Sequence, residues 1–81
     1  MTYPVFSVRD RLAGFSAPEL SLNTETMKRT FADRVNNDSH LLFSAADYDL
    51  YKIGEFNVDS GEFKANIPEF VVSGNSVVVG D

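Results

Sequence analysis

Eighty-one residues, 43% apolar and 23% charged, describe one small globular domain (residues 1–81) with a limited core. The chain has no cysteine, which excludes disulfides and thiol chemistry, and no apolar run near the roughly 18 residues a bilayer span needs. A net charge of −5 counts against non-specific DNA binding by phosphate neutralisation alone, although five of the seven basic residues lie in residues 1–37.

Thr2–Asp10 predicts a strand, because aromatic and β-branched residues dominate it and Pro4 suits a strand start or edge. Arg11–Leu22, with Gly14, Ser16, Pro18 and Ser21, predicts a long connection. Thr24–Asn36 predicts the one helix. Asn23 or Thr24 caps it, Glu25 complements its dipole, and Met27, Phe31 and Val35 fall four apart as an apolar stripe. Glu25, Arg29 and Asp33 are spaced to pair along its solvent face, and Asn36–Asn37 to end it in a left-handed conformation.

Ser44–Asp47 predicts a single helical turn capped by Ser44. Asp49–Val58 and Glu62–Ile67 then predict a hairpin around Asp59–Ser60–Gly61, with Gly61 at positive φ and Pro68 ending the pairing. The remaining residues, 68–81, have two readings. Phe70–Val72 and Val77–Val79 form a second hairpin, or the segment is a tail that docks or stays loose.

A three-residue loop sets Val58 against Glu62 and Phe56 against Lys64. Strict alternation then puts Tyr51, Ile53, Asn57, Phe63, Ala65 and Ile67 on a core face toward the helix. Leu50, Lys52, Phe56, Val58 and Lys64 fall on the other face. There an aromatic between two lysines suits a stacked base with held phosphates, so Lys52, Phe56 and Lys64 are candidate nucleic-acid contacts, aided by Arg9 and Arg11. The competing reading makes Leu50, Phe56 and Val58 an apolar interaction face, and pairs Arg9 and Arg11 with the acidic second half of the chain.

Catalytic chemistry finds no support. His40 is the single histidine and has no partner ligand for a metal; Asp47 and Asp49 lack a nucleophile beside them; Asn57–Gly61 lacks the ligand pattern of a calcium loop; Gly14 stands alone. The expectation is a protein that is not an enzyme, with no cofactor and no metal site. The first residues lack a basic stretch followed by an apolar one, so the expected location is the cytoplasm.

Three stretches carry a family resemblance: YPVFSVRDRLAGF from Tyr3, MKRTFADRVNN from Met27, and ADYDLYKIGEFNVDSGEF from Ala46. Together they resemble the small nonstructural proteins of gokushoviruses, single-stranded DNA phages of the Microviridae. Where many such proteins carry a histidine and a proline before the Asp-Tyr pair, this chain has Ser44–Ala45–Ala46. The resemblance implies a protein made in the bacterial host cytoplasm, absent from the mature virion, and acting in replication of the single-stranded genome or the switch to packaging. It supplies no catalytic residues. The expected partners are single-stranded DNA, phage or host replication proteins, and further copies in a homo-oligomer.

The expected fold is α+β: an antiparallel sheet of three or more strands with one packed helix, in the order β-α-β-β with a C-terminal hairpin as an extension. A partly open barrel with the helix as plug is the alternative.

Overall fold

The structure is a computed structural model that describes residues 1–79; the last two residues of the predicted tail lie outside the described residues. It is an α+β fold built on an open antiparallel sheet of five strands, not a barrel. The strands are β1 (Thr2–Asp10), β2 (Gly14–Phe15), β3 (Glu19–Leu20), β4 (Tyr48–Asn57) and β5 (Phe63–Ser73). The helices are α1 (Thr24–Asn37), α2 (Ser39–Phe43) and α3 (Gly74–Val77), with a 3-10 turn at Ala45–Asp47. β1 and β4 lie in the middle, β5 forms one edge, and the short β2 and β3 both pair along the outer side of β1.

The α1 helix forms for the expected reasons. Asn23 Oδ1 accepts the Thr26 N–H at 2.8 Å, Glu25 sits in the first turn and Arg34 in the last. Met27, Phe31 and Val35 are all buried. Its end differs from expectation, since among the described residues none other than glycine takes a positive φ. Asn36 is held instead by tertiary contacts: its side-chain amide donates to Ala32 and Val77 carbonyls and accepts the Val79 N–H at 2.9 Å. The extended Asp38 stops α1 and its carboxylate caps α2, so a second short helix follows where none was expected. On the solvent side Glu25 pairs with Lys28, at 3.4 Å, and not with Arg29. The turn at Ala45–Asp47 is present, but Ser44 makes no side-chain cap.

The hairpin is present with Gly61 at φ +78°, and its register is one residue off the expected one. Phe56 pairs with Phe63, not Lys64. Asn57 causes the shift. Its carboxamide oxygen accepts the N–H groups of Asp59 and Ser60, and its carbonyl accepts the Gly61 N–H, which closes a loop of four residues.

A second irregularity matters more. Val5 pairs with Gly54 and Phe6 with Lys52, so Ile53 is an extra residue in β4. A bulge of this kind reverses the facing of every residue beyond it. β5 bulges opposite the same place: Gly54 pairs with Ala65 and Lys52 with Glu69, leaving Asn66, Ile67 and Pro68 to span the gap. Pro68 therefore interrupts the ladder without ending it, as an edge strand permits. The strand continues to Ser73, and the predicted second hairpin does not form. Val77 lies in α3, and the tail docks beside the core through Val77 and Val78.

The core lies on one side of the sheet. Phe6, Leu50 and Ala45 join the stripe of α1, with Val8, Tyr48 and Val72 packed around them. The expected core face is thus reversed: Leu50 is fully buried, whereas Ile67 is 88% exposed and Phe63 48% exposed. Leu50→Ala should cost about 2–5 kcal/mol in urea unfolding, whereas Ile67→Ala should stay within about 0.5 kcal/mol. Equal effects would overturn this assignment of faces.

Candidate nucleic-acid interface

Among the described residues no helix covers the opposite side of the sheet, where the bulges gather the aromatics. Register places Tyr51, Phe56, Phe63 and Phe70 on this open face, with Phe15 from β2 beside them. Phe15 meets Tyr51 edge-to-face at 5.4 Å between centroids, and Tyr51 meets Phe70 at 5.8 Å. The row crosses the sheet from one edge to the other. Phe15 and Phe70, at its ends, are about half exposed.

Further along, Val5, Pro18, Leu20, Phe56 and Phe63 line an apolar groove. Gly54 makes that arrangement possible. A Cβ there would come within 2.9 Å of the Phe63 ring and 2.5 Å of the Lys64 carbonyl oxygen, so only glycine lets the ring lie across β4.

The segment from Ala13 to Leu20 acts as a strap along β1. Ser16 takes the Ser7 hydroxyl on its carbonyl at 2.7 Å and the Val8 N–H on its hydroxyl at 3.0 Å. Glu19 ties the strap to α1 through two bonds from the Arg34 guanidinium, at 2.6 and 2.5 Å. That fork holds the Glu19 carboxyl below its ordinary value, against the opposing effect of partial burial.

The predicted site residues separate. Phe56 lies on the open face, half-buried. Lys52 pairs in register with Phe6, on the helix side, and its ammonium sits 3.3 Å from Glu55. Lys64 stands opposite Glu55, also away from the aromatics. The lysine–phenylalanine–lysine cluster is therefore not formed, because it required unbroken alternation through Ile53 and Gly54. Nor is the apolar row of Leu50, Phe56 and Val58. Leu50 is in the core, Phe56 faces the other way, and Val58 sits in the hairpin loop, its N–H on the Met1 carbonyl.

The arginines do reach the aromatic face. Arg9 lies in register between Phe15 and Asp49, is exposed, and has no ion-pair partner among the described residues. Arg11 reaches Asp49 Oδ2 at 3.3 Å. Asp49 is 3% exposed, and its Oδ1 has no hydrogen-bond partner among the described residues.

Phe15, Tyr51, Phe63 and Phe70 were not singled out as interface residues by sequence reasoning. The usable signal was Gly54, since a lone glycine within a strand pattern marks a bulge or a close approach.

The family model described as Phage ORF5 protein matches residues 3–77, which span the strap, α1 and the whole β4–β5 hairpin. The chain belongs to the Phage ORF5 protein family. No curated protein and no solved structure matches it. Among the described residues no helix is long and apolar enough to cross a membrane.

The strap should respond to acid. With Glu19 held below the ordinary carboxylate value of 4.5, its contribution is complete above that pH and is lost as the pH falls through the lowered folded value. Amide exchange of the strap should therefore speed up in acid, and Glu19→Gln should remove that dependence. A strap whose exchange ignores pH in both proteins would contradict the Arg34 tether.

Proposed function

We propose that this phage protein is a non-enzymatic accessory factor that binds single-stranded DNA across the open sheet face, in replication of a single-stranded genome or the switch to its packaging. The aromatic row Phe15–Tyr51–Phe70 carries this reading. Rings presented on a sheet face stack bases at roughly 1–3 kcal/mol each and tolerate any sequence. Arg9 and Arg11, at one end of the row, supply the phosphate contacts. The resemblance to gokushovirus nonstructural proteins supports a single-stranded DNA setting in the cytoplasm of a bacterial host.

Binding of this kind is led by stacking rather than by charge, which reconciles it with a net charge of −5. Two phosphate contacts give a salt slope of only about −1.4, taking about 0.7 per phosphate for single strands.

A second reading has the same face joining two copies, or holding a phage or host replication protein. The placement of Lys52 and Lys64 on the other face favours it, because that leaves the aromatic surface nearly free of charge. The molecule measures 44 × 24 × 16 Å, so its broad face has room for the roughly 800 Å² per partner of a standard interface.

Anisotropy of a labelled single-stranded oligonucleotide tests the first reading. Saturable binding with a shallow salt slope is expected. Tyr51→Ala and Phe70→Ala should each weaken it roughly 5- to 150-fold, while Lys52→Ala with Lys64→Ala should change it little. A flat trace, with a dimer in sedimentation that Phe70→Ala dissociates, would replace DNA binding by self-association.

A further inference from the structure

The strap has a second groove, on the helix side of β1. A cleft of about 380 Å³ opens there between the strap, α1 and α2. Val8, Ala13, Phe31, Leu41 and Tyr48 give it an apolar wall. Its volume lies within the roughly 300–1,000 Å³ of ligand pockets. Of the two charged residues that face each other across it, Glu19 and Arg34, each is already taken by the other.

Beyond that pair, the charge lining the cleft is negative. Asp10 lines it, and Asp38 and Asp47 stand close enough to Tyr48 to act on its phenol. Partial burial and then the fields of Asp10, Asp47 and Asp38 push that phenol above its ordinary value. Among the described residues no cation pairs with any of these three carboxylates. Asp10 and Asp38 each lend one oxygen to backbone N–H groups, which fixes their position, while Asp47 offers its side chain to no group among the described residues.

We propose that this cleft docks a basic segment of a partner protein, with one apolar side chain in the slot between Val8, Phe31 and Leu41 and flanking lysines or arginines on Asp10, Asp38 and Asp47. Charge complementarity selects the occupant. A nucleic acid strand meets three carboxylates here, and the nearby Arg9, unpaired among the described residues, registers on the aromatic face, so this site takes a different partner from that face. An acidic or neutral peptide leaves the rim unpaired.

The chain contains no tryptophan, so emission from a tryptophan in the peptide reports its own burial. The probe is the peptide Lys-Lys-Gly-Trp-Gly-Lys-Lys, titrated with the intact protein. Saturable one-site binding with a blue shift is expected. Asp10→Asn combined with Asp47→Asn should weaken it at least tenfold, because asparagine keeps the backbone contact of Asp10 and removes the charge. Ala13→Phe, at an exposed position, should fill the mouth and abolish the blue shift without unfolding the chain, which circular dichroism checks.

The same peptide with glutamate in place of lysine should not bind. Binding without a blue shift, equal binding of the acidic peptide, or indifference to all three substitutions would overturn the site. A dimer of the protein alone that Ala13→Phe dissociates would overturn it too, since a second copy would then be the occupant. Phe15 borders both the cleft and the aromatic row, so the peptide is titrated without DNA and its binding is read apart from any DNA contact.

Discussion

The bulge at Ile53 is the constraint on which the arrangement depends. Before it, even-numbered residues of β4 face the helices: Tyr48, Leu50 and Lys52 lie opposite Asp10, Val8 and Phe6. After it the parity reverses, and Gly54 and Phe56 join Tyr51 on the open side. Without the extra residue, Phe56 would point toward the helix layer and its partner Phe63 with it. The matching bulge in β5 does the same for Phe63 and Phe70, which an unbroken strand would have set on opposite faces. One displaced residue thus turns two alternating strands into a layered molecule with an aliphatic core on one side and aromatics on the other.

Charge follows the same division. Lys52, Glu55, Lys64 and Glu69 all register on the helix side, where Lys52 and Glu55 pair. The aromatic side keeps Arg9, Arg11 and the buried Asp49. Surface ion pairs of this kind contribute little to stability. Their placement has a different consequence: it keeps lysines and glutamates off the aromatic surface, whose charges gather at the Arg9–Arg11–Asp49 end. Single exposed apolar side chains are ordinary on soluble proteins, but a contiguous patch marks a place of contact. The patch here is ordered before any partner arrives, because Phe63 lies across Gly54 and Phe15 and Phe70 brace Tyr51. A partner binding on this face would meet rings whose side-chain entropy is already largely spent.

The strap gives the molecule its second set of grooves. It pairs with β1 through two short strands and is tied to α1 by the Glu19–Arg34 fork. Glu19 registers with Phe6 toward the helices and Leu20 with Val5 toward the aromatic face, so the same two residues border opposite sides. At the far end of the core, Asn36 performs a similar task for the tail, through its bonds to Val77 and Val79. In a domain whose buried core comprises so few side chains, such polar ties hold segments that apolar burial alone would leave loose.

Much of the fold was legible in the sequence, because the signals concerned were local. The α1 stripe, its Asn23 cap, the β1 strand, the Gly61 turn and the α+β class each follow from a few neighbouring residues. The register was not legible. Whether the hairpin loop holds three residues or four depends on Asn57 bonding within its own turn, and whether β4 keeps its alternation depends on β1 and β5 at the same point. Strict alternation separated Tyr51 from Phe56 and gathered Lys52, Phe56 and Lys64 into a site that does not form. The sequence by itself determined β1, α1, the β4–β5 hairpin and the presence of aromatics and arginines suited to contact, but not β2, β3, α2 or α3. Tertiary structure decided which of them share a face, because a side chain's side in a sheet is fixed by pairing with distant strands, and one unpaired residue reverses it.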